Sequence, residues 1–304
     1  MKKLLITHTD LDGISPVILL NLTDELFDYK CVDINDLKRT IDELKETDLS
    51  IYDQIYITDL SLTDEMYEIV KSFNKNVLVF DHHETHLFAN KYDFVNVSID
   101  YNGRKTCGTE LFFNYLKEKY EYLNKENIIN YVEYVRELDN FTFTSEIPKQ
   151  LDMLKDAFSK SDFIKTMTRR LKKDKPFSFT SFEKRYIKIK EEEIKRYIQK
   201  KEKEMFKLKI DGIPCAISFA ENNKSILGNY IATKHKEVDI VIIINAANRI
   251  SYRASKDNVD VSIFAANYGG GGHKLASGSK FDDQDRMNII KTYFKDVKEL
   301  DENC

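Results

Sequence analysis

Three short stretches of the chain carry side chains that suit hard divalent ions: His8-Thr9-Asp10-Leu11-Asp12-Gly13, the isolated Asp59, and Asp81-His82-His83. Carboxylate oxygens with a few imidazole nitrogens favour Mn2+ or Mg2+ over an ion that seeks thiolates. In the first stretch three potential ligands fall within five residues. Their i, i+2, i+4 spacing in a strand-to-loop turn can aim them in one direction, and Gly13 permits a tight departure into a helix. Each stretch alone has an ordinary explanation, because Asp and Gly favour helix caps and turns and a lone histidine is usually structural.

The elements that must position these residues decide between the two readings. Short β-rich runs over 3–8, 29–33, 55–60, 77–81 and 94–98 alternate with helical spacing over 14–26, 36–46 and 63–73. That order predicts an α/β fold, a parallel sheet wrapped by helices. All three chemical stretches then fall at the carboxyl ends of strands, the edge where open parallel sheets bind ligands. Three such clusters at equivalent strand ends are hard to explain as capping.

After Cys107 the pattern is helical to about Asp139, and residues 182–209 form a mixed-charge run whose apolar positions predict one long connecting helix. The β signal returns over 213–219, 238–245 and 249–254, followed by a helical pattern over 261–268 and the string Gly269-Gly270-Gly271-Gly272-His273. The expected organisation is an N-terminal catalytic domain (1–181), the connector (182–209) and a smaller α/β domain (210–304), with catalysis in the cleft between the domains. Four adjacent glycines read either as a flexible loop or as a backbone surface that phosphate or ribose can approach closely. Arg253, on the strand before them, has the fork geometry to grip a terminal phosphate. Arg104 is a weaker alternative for that task.

Composition narrows the partners. The formal charge is −4 over 304 residues, and no basic, aromatic-laced track is present to follow a long nucleic acid. Four cysteines without a C-x-x-C pair argue against a disulfide framework or a thiolate zinc site. The opening apolar run is too short for a signal peptide, and the most apolar stretch, 238–245, is far shorter than a membrane span and contains Asp239. A cytoplasmic setting with no membrane contact is expected.

The chain resembles the DHH phosphoesterases, named for the triplet found here as Asp81-His82-His83. The family's other motifs resemble His8–Gly13, Asp59, Asp139 in Arg136-Glu137-Leu138-Asp139, and the C-terminal glycine string with Ala276-Ser277-Gly278. Within the family the nanoRNase B type of oligoribonuclease is most similar, with Ser225–Asn229 and the strand bearing Arg253 also matching. The resemblance implies two divalent ions, Mn2+ first, with Mg2+ or Co2+ as alternatives. His8, Asp10 and Asp59 would hold one, and Asp12, Asp59, His82 and Asp139 the other. It further implies that His83 lies near the reacting phosphate and that Asp81 steers an imidazole. Arg253, Gly270, Gly271, Gly272 and His273 would hold substrate. Two such ions can share a hydroxide for attack on phosphorus, so the expected activity is hydrolysis of very short RNA or DNA oligonucleotides to nucleoside 5′-monophosphates. Action on 3′-phosphoadenosine-5′-phosphate or cyclic dinucleotides is the alternative. A manganese-dependent pyrophosphatase and a catalytically inactive nucleotide-binding module rank lower, and a homodimer is left open.

Overall fold

Strand β1 (Lys2–Thr7) leads into α1 (Leu11–Leu20), then β2 (Phe27–Cys31), α2 (Leu37–Lys45), β3 (Tyr52–Thr58), α3 (Asp64–Ser72), β4 (Asn76–Asp81) and β5 (Val95–Val97). This is a computed structural model that describes residues 2–293, with Asn74 and Asp174 excepted. The strands form one sheet in the order β2-β1-β3-β4-β5, parallel throughout. Apolar runs in β1, β3 and β4 are buried on both faces, as a parallel sheet between helices requires. Leu5, Tyr56 and Phe80 pack toward α1 and the helices after Cys107, while Leu4, Ile6, Ile55, Ile57, Val77 and Val79 pack toward α2 and α3. The chain runs outward from β1 to β2 and then returns to place β3 on the other side of β1. The sheet therefore has its switch point between β1 and β3, where the connections part and a crevice opens at the strand ends.

Helix α1 starts earlier than its spacing predicts. Asp10 caps it by accepting from the Gly13 amide at 2.8 Å, which puts Asp12 inside the first turn rather than in a loop. Pro16 cannot donate to the Asp12 carbonyl, and the Thr109 hydroxyl does so instead at 2.6 Å. The helix ends at Leu20, six residues before the expected end at 26.

A small hairpin, β6 (Asp100–Tyr101) and β7 (Arg104–Lys105), turns at Asn102-Gly103, both with positive φ. Helices α4 (Gly108–Lys119), α5 (Glu126–Asp139), α6 (Ile147–Ala157), α7 (Lys160–Leu171) and α8 (Ser181–Lys203) follow. The chain divides into two compact units, Met1–Ile187 and Lys188–Cys304.

The second unit contains β8 (Phe206–Ile210), β9 (Ile213–Phe219), α9 (Lys224–Lys234), β10 (Ile240–Ile244), β11 (Arg249–Ala254), α10 (Val261–Ala266), β12 (Gly271–His273), β13 (Ala276–Lys280) and α11 (Asp283–Tyr293). Its sheet runs β12-β13-β11-β10-β9-β8. The long helix expected over 182–209 stops at Lys203, and Phe206-Lys207-Leu208-Lys209-Ile210 becomes a strand. Alternation with period two and a positive-φ Asp211-Gly212 turn form a hairpin with β9 that helical spacing could not supply. The glycine string is likewise no free loop, since Gly271 to His273 pair with β13. Cys31, Cys107 and Cys215 are free, and Cys304 lies outside the described residues. No helix among the described residues is long and apolar enough to cross a membrane.

Candidate metal centre

The ends of β1, β3 and β4, the first turn of α1 and the last residue of α5 deliver His8, Asp10, Asp12, Asp59, His82 and Asp139 to one place. His8 Nδ1 lies 2.9 Å from Asp10 and 3.7 Å from Asp59 Oδ2. His82 Nε2 lies 3.4 Å from Asp59 Oδ1 and 3.7 Å from Asp12, and its Nδ1 lies 3.6 Å from Asp139. Apart from the His8–Asp10 bond, these contacts exceed the hydrogen-bond range. Three sets of potential ligand atoms each fit within 4.8 Å: His8, Asp10 and Asp59; Asp12, His82 and Asp139; and Asp59, Asp81, His82 and His83.

This donor set fits divalent ions on two further observations. Asp59 Oδ2 and His82 Nε2 are buried without a hydrogen-bond partner, a costly state that a coordinated cation would relieve. Crowded carboxylates also resist ionisation together. Burial, followed by the charge of Asp12, pushes Asp59 up to about 6 and Asp139 up to about 7. Asp10 bonding and the nearby Asp59 raise His8 to about 10. Burial opposes the charging of His82, but Asp59, Asp12 and Asp139 outweigh it and raise that group to about 10 as well. Burial likewise works against Asp10, yet its bond to His8 brings it down to about 2. Without cations the cluster balances its negative charge with retained protons.

Backbone geometry fixes the carboxylates. Asp59 adopts a left-handed conformation, φ 53°, which Asp tolerates better than most residues, and its amide bonds to the Phe80 carbonyl at 2.9 Å. Asp12 accepts from the Gly108 and Thr109 amides at 2.7 and 2.8 Å, so it caps α4 from 96 residues away. A Cβ on Gly108 would lie 2.8 Å from Asp59 Cβ, and one on Gly13 would lie 2.3 Å from the His8 carbonyl carbon. Both positions require glycine because backbone or acid groups approach so closely.

Asp81 is fully buried. Its Oδ1 accepts from the His82 amide at 2.8 Å and pairs with His83 Nδ1 at 2.7 Å. Burial would raise Asp81, but the His83 bond holds it below the usual carboxylate range, and the same bond raises His83. With Nδ1–H given to Asp81, His83 presents Nε2 on a half-exposed ring.

The remaining expected site residues form a separate group in the second unit. Arg253, Ala276 and His273 lie opposite one another across β11, β13 and β12, so their side chains rise from one sheet face. Arg253 donates to the Tyr252 carbonyl at 2.9 Å and to Ser225 Oγ at 3.2 Å, which places its guanidinium beside the first turn of α9. A Cβ on Gly228 would lie 3.1 Å from the Arg253 stem. Gly270 and Gly272 serve strand pairing, because a Cβ there would lie 2.2 Å from the Gly278 carbonyl oxygen and 2.7 Å from Ser277 Cα, while Gly271 faces open space. Arg104 is engaged by Glu110 and Glu133 at 2.7 and 2.8 Å.

No family model matches the chain. Over 294 residues it is 31% identical to oligoribonuclease NrnB of Bacillus subtilis strain 168, covering 92% of this chain and 73% of that protein. The chain belongs to the oligoribonuclease NrnB family. Among solved structures, the pGpG-specific phosphodiesterase PggH of Vibrio cholerae shares the fold at 16% identity and a TM-score of 0.54, covering 96% of this chain and 97% of that one. An exopolyphosphatase-related protein from Bacteroides fragilis does so at 16% identity and a TM-score of 0.52, covering 96% and 91%.

In this member of the NrnB family, sequence reasoning passed over Gly108 and Thr109. A signal was present. Cys107-Gly108-Thr109 opens a helix without a capping side chain of its own, and Cys107 makes no cap bond in the structure. A helix start with no local acceptor must find one elsewhere in the fold.

Proposed function

We propose that this chain is a divalent-metal phosphodiesterase that hydrolyses very short oligonucleotides to nucleoside 5′-monophosphates, with Mn2+ the preferred ion. The observation that carries this reading is the buried acid and imidazole cluster at the sheet's switch point, with unsatisfied atoms on Asp59 and His82. The activity named for the Bacillus relative agrees with it.

His8, Asp10 and Asp59 would hold one ion, and Asp12, Asp59, His82 and Asp139 a second. The Asp59 oxygens suit a shared role, since Oδ2 faces His8 and Oδ1 faces His82. Bound ions supply positive charge to the phosphoryl oxygens and acidify water. Asp12, anchored by the α4 amides, keeps its carboxylate oriented. His83, held by Asp81 through Nδ1–H, would in its doubly protonated form offer Nε2–H to a non-bridging or leaving oxygen of the phosphate. Arg253, steadied by Ser225, and His273 in the same row would bind a terminal phosphate in a charge-assisted manner. The net negative charge leaves little affinity to gain from additional nucleotides.

The test is turnover with Mn2+ of a dinucleotide, a pentamer, a long RNA, a cyclic dinucleotide, 3′-phosphoadenosine-5′-phosphate and pyrophosphate, at equal concentrations of ends. The dinucleotide and pentamer should be cleaved fastest, releasing 5′-monophosphates. Fastest, processive loss of the long RNA would refute the short-substrate reading, and cleavage of the bisphosphate or cyclic compound alone would replace it with the corresponding phosphoesterase.

A further inference from the structure

A ladder of rings leads away from the metal cluster along the segment that follows Asp81-His82-His83. The His82 and His83 ring centroids are 4.5 Å apart, His83 and His86 are 6.5 Å apart at 85°, and His86 and Phe88 are 5.7 Å apart at 43°. The 3₁₀ segment Glu84–Lys91 sets these positions, and the His86 amide bonds back to the His83 carbonyl at 2.9 Å. Phe88 stands edge-on to the fully buried Tyr67 at 6.4 Å yet keeps 42% of its surface exposed. Lys91 lies over the Phe88 ring at 5.5 Å, but its ammonium is engaged by Asp64 at 2.6 Å.

We infer that His86 and Phe88 form a stacking platform for the nucleobase attached next to the scissile phosphate. This rests on the proposed oligonucleotide activity and specifies how that site takes its substrate. Phosphate and sugar seek cations and hydrogen-bond donors, whereas this surface offers the partly buried His86 ring and the exposed Phe88 ring, beginning one ring beyond His83. The His86 ring is tethered through Nδ1 to the Thr85 hydroxyl at 3.0 Å, and burial holds the group below the usual imidazole range. The edge-on contact of Phe88 with the buried Tyr67 limits the ordering entropy that opposes stacking on it. Stacking accepts every base because each has a π-face, so the platform confers a requirement for a base with little preference among bases.

A stacked base is worth about 1–3 kcal/mol on removal of its aromatic partner, roughly 5- to 150-fold in affinity. His86→Ala and Phe88→Ala should each raise KM for the dinucleotide pApA within that range, with kcat moving less than KM. The preference for pApA over the same dinucleotide lacking the adjacent base should shrink in both variants, while His86→Phe restores it. Quenching of a 2-aminopurine dinucleotide reports the stack without requiring turnover, so the platform is tested even if hydrolysis fails. Quenching by the wild type and its loss in the two variants support the platform. Undiminished quenching in the variants, no quenching by the wild type, or equal losses on the base-bearing and base-free substrates overturn it. Absence of dinucleotide hydrolysis despite quenching would instead refute the proposed activity.

Discussion

Gly108→Ala isolates the contact between α4 and the acid cluster with a single added methyl group. The new Cβ would lie 2.8 Å from Asp59 Cβ, 3.2 Å from Asp59 Cα and 3.1 Å from Asp12 Oδ2, whereas carbon atoms pack comfortably at about 3.5–4.0 Å. A displacement of about 1 Å is therefore required. Asp59 is poorly placed to yield, because its amide is bonded to Phe80 and its backbone already occupies the left-handed region. The N-terminus of α4 must retreat instead, stretching its two bonds to Asp12. Overpacking costs about 1–3 kcal/mol, and weakened charge-assisted bonds push the total toward the upper part of that range. In a unit of this size that corresponds to a Tm lower by roughly 4–12 °C. A misplacement of this size in a reacting site can also cost about a hundredfold in rate. Thermal melting, Mn2+ titration calorimetry and dinucleotide turnover should all register the change. Wild-type Tm, metal affinity and kcat in Gly108→Ala would refute the claim that α4 fixes Asp12 and Asp59.

Asp59→Asn should leave the fold intact but lower turnover by at least about a hundredfold, since several kcal/mol of charge stabilisation depend on two filled sites; activity within a few-fold of wild type would refute a shared carboxylate. Arg253→Ala and His273→Ala should raise KM while the bound metal measured by atomic emission stays unchanged; a variant purified without its metal would refute the separation of substrate and metal residues. Metal-free protein should melt at progressively lower temperature as pH rises from 5 to 9. Asp59 and Asp139 have raised folded values of about 6 and 7, so the folded state retains protons that the unfolded state has released, and stability falls as pH passes through those values. His8 and His82, raised to about 10, extend the same sign above neutrality. Saturating Mn2+ should flatten that slope, and a metal-free Tm that climbs over this range would contradict the assigned crowding.

The sheet was legible because β1, β3 and β4 are buried on both faces and carry unbroken apolar runs between polar ends. Position did the rest, as acids at three strand ends could converge only if the strands were parallel neighbours. The second unit was less legible where charge masked periodicity. Lys207 and Lys209 made β8 look like the tail of a charged helix, although Phe206, Leu208 and Ile210 alternate as a strand does. Glycines carry no hydropathy pattern, so β12 was not legible in the sequence and appears only through its pairing with β13. The bonds from α4 to Asp12 span 96 residues, a distance at which no local pattern signals contact.

The same cluster gives a reason to expect metal binding and folding to be linked in this unit. Asp59 occupies a left-handed conformation that costs of order 1 kcal/mol or more, carries a buried oxygen without a hydrogen-bond partner, and sits among acids that cannot all ionise without opposing charge. None of these features improves packing, because Leu60 and Leu62 beside it already fill the core. They would gain a common rationale on the proposed metal binding, since coordination would satisfy the lone pair, neutralise the repulsion and make the strained orientation useful. Metal should accordingly raise the stability of the first unit by an amount that grows with its free concentration, and most of that gain should vanish in Asp59→Asn, whose amide can neither bridge two ions nor carry the charge they neutralise.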